Sequence, residues 1–198
     1  MKKIFFLAII SSFCLYVSAQ DISLPAPQKT GGKPLMDAIN QRQSVREFSS
    51  KDLDLQTISN LMWVAYGFNR ESKRVVPTAL DKQQFEVYVA LKTGVYLYDA
   101  KANKLLLKVK GDHRKSAGKQ EYVWNAPLNF IYVMDAGILD SSVECGCIVQ
   151  NVYLYCASAG LGSVVRGYFD QDELKKLLNL SEKKKVILCQ TVGYTGIS

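Results

Sequence analysis

Two consecutive apolar segments constrain the fold of this chain most strongly. Residues 127–135, PLNFIYVMD, form a near-continuous apolar run, which is typical of a central strand that is buried on both faces. Residues 144–160, ECGCIVQNVYLYCASAG, are apolar almost all round and rich in small residues. A helix of that kind is expected to be buried on every side, in the core or against another subunit. The centre of the fold is therefore predicted to be a sheet with a buried helix packed on it.

Shorter segments on either side of this pair complete an α+β pattern. Amphipathic helices are predicted from Pro34 to about Gln43, over residues 54–66, and in a short segment that Asp170 caps. Runs rich in β-branched and aromatic residues predict further strands over 85–91, 94–99, 104–110 and 186–194. The order of these elements favours a single α+β domain, a sheet with helices packed on it, over residues 34–198.

The first 33 residues are expected to lie outside this domain. A basic MKK, an apolar stretch and the small-residue sequence VSA predict a secretory signal over residues 1–19, with cleavage after Ala19. The apolar run is short for a membrane span, and whether Cys14 is lipidated stays open because bulky Phe13 precedes it. Residues 20–33, rich in Pro and Gly, are predicted to form an N-terminal arm. The mature protein is thus expected to be exported, periplasmic or secreted, without a membrane anchor.

Net charge and cysteine content indicate which kinds of ligand the mature chain is expected to bind. Removal of Lys2 and Lys3 with the signal lowers the formal charge from +7 to +5, which suits an anionic ligand. The basic stretch 104–119 lacks the interleaved aromatic residues of a single-strand binder, so no nucleic acid is expected. The chain has a single histidine, so no zinc site is expected. The remaining cysteines have apolar neighbours and are interpreted as core residues: Cys145, Cys147, Cys156 and Cys189.

The stretch QRQSVREFS, residues 41–49, carries the first candidate site. Arg42 and Arg46 lie four residues apart around Ser44 at the predicted end of a helix. Two guanidinium groups and a hydroxyl at this spacing can hold a phosphate monoester. Arginines at the end of a helix also complement its dipole without binding anything, and this stretch alone does not decide between the two interpretations.

Two later stretches are weaker candidates. At 77–84, a Pro-Thr-Ala break leads through polar Asp81 and Gln83 into a buried strand, where such groups can hydrogen-bond a heteroaromatic edge or simply form a loop. At 160–167, GLGSVVRG, two glycines and a smooth extended segment follow the buried helix. Its N–H groups can approach a flat ligand, or the segment is only a helix stop and a link. It is not a dinucleotide-binding glycine motif, which follows a strand.

Taken together and in this order, the three stretches resemble the nitroreductase family of FMN-dependent flavoproteins, in particular its compact branch near the azoline-oxidising dehydrogenases. The opening motif of the family is matched by Arg42, Gln43, Ser44, Arg46 and Phe48. Its Pro-Ser/Thr-Ser/Ala-x-Asn-x-Gln loop is matched by Pro77, Thr78, Ala79 and Gln83, with Asp81 in place of the asparagine. Its Gly-Leu-x-Ser-Val-x-x-Gly segment is matched at 160–167. The resemblance covers about residues 34–194.

The resemblance implies a central, mostly antiparallel sheet with helices around it, and a homodimer whose FMN sites lie at the subunit interface. Residues 42–44 and Arg46 would hold the phosphate and ribityl chain of FMN. The loop from Pro77 to Gln83, with Thr78, Ala79 and Asp81, would approach the flavin of the partner subunit. Arg166 and Gly167 would offer backbone N–H groups near N5 and O4 of the flavin ring.

The function implied by the resemblance is that of an FMN-dependent oxidoreductase, which passes hydride or two electrons to small electrophiles such as nitroaromatics or quinones. No catalytic side chain is predicted, because the flavin carries the chemistry. Use of NAD(P)H stays open for an exported protein, as do a dehydrogenase or oxidase of a small heterocyclic or peptide-like substrate and a non-catalytic binding protein. The chain ends in VGYTGIS, without the basic residue that many relatives carry there, so phosphate binding is expected to depend on Arg42 and Arg46.

Overall fold

The computed structural model describes residues 20–138 and 142–196, and the predicted signal with Cys14 lies outside them. The strands are β1 (Ile22–Ser23), β2 (Phe68–Arg70), β3 (Lys73–Arg74), β4 (Phe85–Leu91), β5 (Gly94–Asp99), β6 (Lys104–Lys110), β7 (Leu128–Asp135), β8 (Leu161–Arg166) and β9 (Lys184–Tyr194). The helices are α1 (Leu35–Gln41), α2 (Leu55–Tyr66), α3 (Glu121–Asn125), α4 (Val143–Ala159) and α5 (Gln171–Leu177), with 3-10 turns at Ala79–Asp81 and Arg114–Ala117.

Seven of these strands form one antiparallel sheet, in the order β1-β6-β5-β4-β7-β9-β8. The apolar run that predicted a central strand is β7, which pairs with β4 on one side and β9 on the other and is buried along nearly its whole length. Strands β2 and β3 form a separate hairpin. The predicted α+β architecture with its antiparallel sheet is confirmed.

Helices cover both faces of the sheet. On one face, α2 and α4 contribute Leu61, Met62 and Ile148 to a core that also contains Phe130. On the other face, the shorter helices α3 and α5 pack against β7 and β9. Burying each of these large apolar side chains contributes about 1.5–3 kcal/mol to folding. The two cores fix β8 and β9 relative to α4, and this positions the candidate site.

Local signals explain where α2 and α4 begin and end. The Asp54 carboxylate accepts a hydrogen bond of 2.7 Å from the N–H of Thr57 and so caps α2. Helix α4 ends at Gly160, whose φ of +73° is easily adopted only by glycine. Gly162, which the sequence predicts as part of the same helix stop, instead lies inside β8.

The segment predicted as a free arm is partly built into the fold. Ile22 of β1 pairs with Leu105 of β6, so the arm supplies the edge strand of the sheet. Leu24 is buried, and the N–H of Gln28 donates to the side-chain carbonyl of Asn60 at 2.8 Å. The periodicity of 20–33 does not reveal this strand because its two residues are stabilised by a partner about 80 positions away.

Helices α1 and α4 leave part of their surfaces exposed in a single chain. Leu35, Met36 and Ile39 of α1 are 62%, 71% and 46% exposed, and Val143, Gly146 and Gln150 of α4 also face outward. Helix α4 is therefore covered on one side only within a single chain. Burial of the whole helix in the core of one chain is wrong, and burial against another subunit stays a prediction. The four cysteines are free thiols, of which Cys147 is only half-buried. Within the described part of the chain, no helix has the length and apolarity needed to cross a membrane.

Candidate functional site

A cavity of about 470 Å³ lies between the end of α1, the C-terminal half of α4 and the first residues of β8. Its volume is within the range of pockets that hold cofactors and other small ligands. It is lined by Lys33, Asn40, Gln41, Arg42, Gln43, Val45, Tyr153, Cys156, Ala157, Gly160, Leu161, Ser163 and Thr195.

The structure brings together two of the three predicted stretches at this cavity. After α1 ends, residues 42–46 run along the outer edge of β8, where Ser44 bridges to Ser163 and the N–H of Val45 donates to the Ser163 carbonyl at 2.9 Å. A Cβ atom on Gly162 would lie only 2.6 Å from the Thr195 side chain. Glycine at this position therefore permits the close approach of the chain segments behind the cavity.

Tyr153 lines the cavity and is a candidate site residue that the sequence analysis missed. Its buried hydroxyl accepts the Val165 N–H at 2.8 Å and lies 3.0 Å from the Ser44 hydroxyl. A backbone N–H can only donate, so the Tyr153 hydroxyl accepts from Val165, and either hydroxyl of the Ser44–Tyr153 pair can donate to the other. One of the two hydroxyl protons therefore remains available beside the cavity, which Tyr153 lines. The only available signal was the position of Tyr153 in α4, seven residues before Gly160.

The cations at the cavity differ from the predicted pair. Arg42 lines the cavity, half-buried, with its guanidinium carbon 5.4 Å from the centroid of the Tyr153 ring. Arg46 is exposed and lies outside the lining. Lys33 lines the cavity instead, and its ammonium group donates to the Gln41 side chain at 2.5 Å. The two positive charges therefore come from Arg42 and from the arm.

The loop from Pro77 to Gln83 lies elsewhere in the chain. The Ala79 N–H donates to the Glu144 carboxylate, 2.5 Å away, in the first turn of α4. Ala157, which lines the cavity, is thirteen residues farther along the same helix, a distance of about 20 Å at 1.5 Å per residue. A single chain therefore does not bring Pro77, Thr78 and Ala79 to the cavity.

The polar side chains of this loop are occupied within the chain. Lys73 forms an ion pair of 2.5 Å with Asp81. The hydrogen bond from Lys73, and to a smaller extent the one from Gln83, lowers the pKa of the Asp81 carboxyl below its usual value. Gln83 also donates to the Ser72 carbonyl at 2.7 Å and accepts from Arg74 at 3.0 Å. These contacts hold the loop in place and leave Leu80 at its tip 82% exposed.

Arg166 is the last residue of β8, and Gly167 follows the strand. Arg166 pairs with Cys189 across the β8–β9 ladder, and its side chain is buried in the core. Because backbone N–H groups alternate between the two edges of a strand, the Arg166 N–H faces β9, whereas the Val165 N–H donates to Tyr153 on the opposite edge. Continued alternation places the Gly167 N–H on that opposite edge as well, and Gly167 is exposed. Of the two predicted backbone donors, only the Gly167 N–H therefore lies outside the β8–β9 ladder.

The fold and this cavity define an α+β protein with a pocket of about 470 Å³, which two cations, Lys33 and Arg42, and the Tyr153 side chain line. Among the residues with described positions, no group of three or more His, Cys, Asp or Glu side chains could hold a metal ion. The chain belongs to the nitroreductase family, whose model matches residues 39–194. Family membership identifies it as an oxidoreductase of a typically flavin-dependent kind.

Similar proteins agree with this assignment. A candidate nitroreductase of Methanocaldococcus jannaschii is 30% identical over 169 residues, which cover 75% of this chain and 85% of that protein. The crystal structure of a candidate nitroreductase from Ralstonia eutropha is 38% identical, covers 91% of each chain and superposes with a TM-score of 0.84. An FMN-dependent nitroreductase from Clostridium difficile shares the fold, with a TM-score of 0.60 and 16% identity over 81% of this chain and 87% of that one.

Proposed function

We propose that the protein binds FMN and acts as an oxidoreductase that passes hydride or two electrons to small electrophiles such as nitroaromatics or quinones. The observation that carries this proposal is the set of donors around one cavity. Arg42 and Lys33 supply positive charge, and the paired hydroxyls of Tyr153 and Ser44 leave one proton available beside the cavity. A phosphate monoester is recognised by such charge-assisted hydrogen bonds. The FMN-dependent neighbour from Clostridium difficile supports FMN as the cofactor.

The side chains at the cavity bind and orient, and bound FMN would supply the redox chemistry itself. Arg42, Gln43 and Ser44 would hold the phosphate and ribityl chain, with Lys33 as an additional cation and Arg46 at the rim. The outward N–H of Gly167 would donate to the edge of the flavin ring. No side chain in this scheme needs to act as a nucleophile.

We also propose that two chains associate and complete each other's sites. The exposed Leu35, Met36 and Ile39 of α1 form an apolar surface that water would disfavour. The outward face of α4 adjoins this surface through a groove of about 420 Å³ that Leu35 and Leu154 both line. A symmetric dimer would bury these faces and would allow the Pro77–Gln83 loop of one chain, with exposed Leu80, to reach the cavity of the other.

The electron donor and the location of the protein belong to the same proposal. The signal-like residues 1–19 support export, where NAD(P)H is scarce. This favours testing an oxidative direction, in which a small heterocyclic or peptide-like substrate is oxidised, beside the reductive one. A non-catalytic flavin-binding protein is the remaining alternative.

Absorbance of the purified protein tests the proposal. Bound FMN absorbs at about 450 nm, a property of the oxidised flavin ring. We therefore expect a yellow protein that releases FMN on denaturation. A colourless protein that does not take up added FMN would contradict the proposed function. Anaerobic mixing with NADH and NADPH, followed by a nitroaromatic or a quinone, then tests donor and acceptor. Bleaching by neither nucleotide would favour the oxidative or the binding alternative.

A further inference from the structure

Arg166 places a positive charge inside the core without an opposite charge. Its side chain is only 7% exposed. One terminal nitrogen donates to the Thr191 hydroxyl, and the other donates to the Ala117 carbonyl at 2.8 Å and to the Asn129 side chain at 3.0 Å. All three partners are neutral. Within residues 20–138 and 142–196, no carboxylate pairs with this guanidinium group, and its Nε has no hydrogen-bond partner.

This arrangement is costly for a purely structural role. A buried charge is normally paired, because hydrogen bonds to neutral groups replace only part of its lost hydration. Burial accordingly lowers the pKa of Arg166, although an arginine in a protein remains protonated. A neutral side chain at position 166 could hydrogen-bond the Ala117 carbonyl at a smaller desolvation cost than a charged guanidinium group. An anion close to Arg166 would offset that cost.

The position of Arg166 in the chain shows where such an anion would lie. The next residue is the exposed Gly167, and the proposed function places the edge of the flavin ring beside its backbone. The Arg166 side chain enters the core, where its guanidinium group reaches Thr191 of β9 and Asn129 of β7. The positive charge therefore lies on the core side of the backbone that would contact the ring. A flavin that takes up two electrons and one proton gains one negative charge. A nearby buried cation, little screened by solvent, would favour that reduced form.

We infer that the Arg166 side chain raises the two-electron reduction potential of a flavin bound beside Gly167, with the buried guanidinium acting electrostatically from behind β8. Arg166 is thus a tuning residue and makes no contact with the substrate. The inference rests on the proposed function, because it requires bound FMN. Coulomb's law with an effective dielectric constant of about 20 gives more than a tenfold effect on an equilibrium for any two unit charges within about 10 Å of each other.

Measuring the flavin potential in Arg166→Met tests the inference. Methionine removes the charge and keeps an unbranched, apolar side chain, an exchange that buried ionic sites often tolerate. The purified flavoprotein is titrated anaerobically with dithionite, the two-electron source, against a reference dye. We expect the preference for reduced over oxidised flavin to fall at least tenfold, a decrease of about 30 mV for a two-electron couple. If Arg166→Met does not fold, Arg166→Gln, which keeps hydrogen-bond donors, provides the same comparison.

Two control variants separate charge from structure. Arg166→Lys keeps the charge without the planar fork, and Thr191→Val removes one hydrogen-bond partner of the guanidinium. Both are expected to unfold at lower temperature yet retain nearly the wild-type potential. The inference is overturned if the neutral variants keep the wild-type reduction potential. It is also overturned if the reduction potential falls as far in Arg166→Lys as in Arg166→Met. A wild-type protein that binds no FMN overturns the proposed function as well, whereas a yellow wild type with an unaffected neutral variant overturns this inference alone.

Discussion

The hydroxyl groups of Ser44 and Tyr153 lie 3.0 Å apart, although 109 positions separate the two residues in the chain. Tyr153 also accepts the Val165 N–H, so one side chain connects the segment after α1 with β8. This contact links the two predicted ligand-binding stretches beside the cavity that Tyr153 lines.

Tyr153→Phe is expected to weaken FMN binding about tenfold without unfolding the protein. The change removes the hydroxyl that hydrogen-bonds Ser44 and leaves the Val165 N–H without its acceptor, a loss of about 1.4 kcal/mol. Quenching of FMN fluorescence measures the dissociation constant. Tyr155→Phe is the matched control, because Tyr155 is on the same helix but hydrogen-bonds Asn60 at 3.2 Å, away from this cavity. Equal affinities of wild type and Tyr153→Phe would remove Tyr153 from the site.

Arg42→Ala is expected to reduce FMN affinity at least tenfold, and the double change Arg42→Ala with Arg46→Ala to abolish retention of the flavin. Arg42 lines the cavity, while Arg46 is exposed and outside the lining, so we expect Arg46→Ala alone to have the smaller effect. Circular dichroism checks that the fold survives, and absorbance after gel filtration measures flavin occupancy. Full occupancy in the double variant would refute the phosphate assignment.

The sequence predicted best those elements whose signals are local. Strands β4, β5 and β6 begin and end at the predicted residues, because the turns between them are short and their apolar content is high. The end of α2 at Gly67 and the cap at Asp170 were predicted from single residues and are confirmed. The pairing of β1 with β6 was missed, because a strand of two residues depends on a partner distant in sequence.

The candidate site was predictable only where its signal is local in the sequence. The motif at 42–46 indicated where an anion could bind, but which cation reaches the cavity depends on side-chain directions beyond a turn, and there Lys33 takes the place expected for Arg46. Tyr153 resembles any aromatic residue of a buried helix until Ser44 is brought beside it. Arg166 was considered only for its backbone, since a pattern of residue types does not show that its side chain enters the core.

Met36→Asp is expected to convert the proposed dimer into monomers and to lower flavin occupancy with it. A carboxylate in the middle of the exposed apolar surface of α1 would have to be buried without a partner on association. Light scattering after gel filtration measures the mass. Lys108→Glu, a charge change on the exposed part of β6, should leave the mass unchanged. A wild type that is monomeric at micromolar concentration would contradict the dimer.

Glu144→Ala is expected to loosen the Pro77–Gln83 loop. The Glu144 carboxylate accepts the Ala79 N–H, and a hydrogen bond to a charged group contributes about 1.5–3 kcal/mol. Amide hydrogen exchange at Ala79 should therefore become at least tenfold faster. Glu144→Gln keeps an oxygen acceptor at the same place and should retain most of the protection. Unchanged exchange in Glu144→Ala would show that other contacts hold the loop.

Asp54→Ala is expected to destabilise the protein by about 1 kcal/mol near neutral pH, the usual effect of losing a helix N-cap. The Thr57 N–H, which Asp54 accepts, lowers the pKa of the Asp54 carboxyl in the folded protein. A lowered pKa means that the charged cap stabilises fully above the ordinary value of about 3.9 and loses its effect as pH falls through the folded-state pKa. The difference in unfolding free energy between wild type and Asp54→Ala should thus shrink between pH 7 and pH 3 in urea titrations. Asp54→Asn caps the helix with an amide oxygen that does not titrate, so its unfolding free energy should differ from that of Asp54→Ala by a constant amount over that range. An equally constant difference between wild type and Asp54→Ala would exclude the carboxylate as the source of the pH dependence.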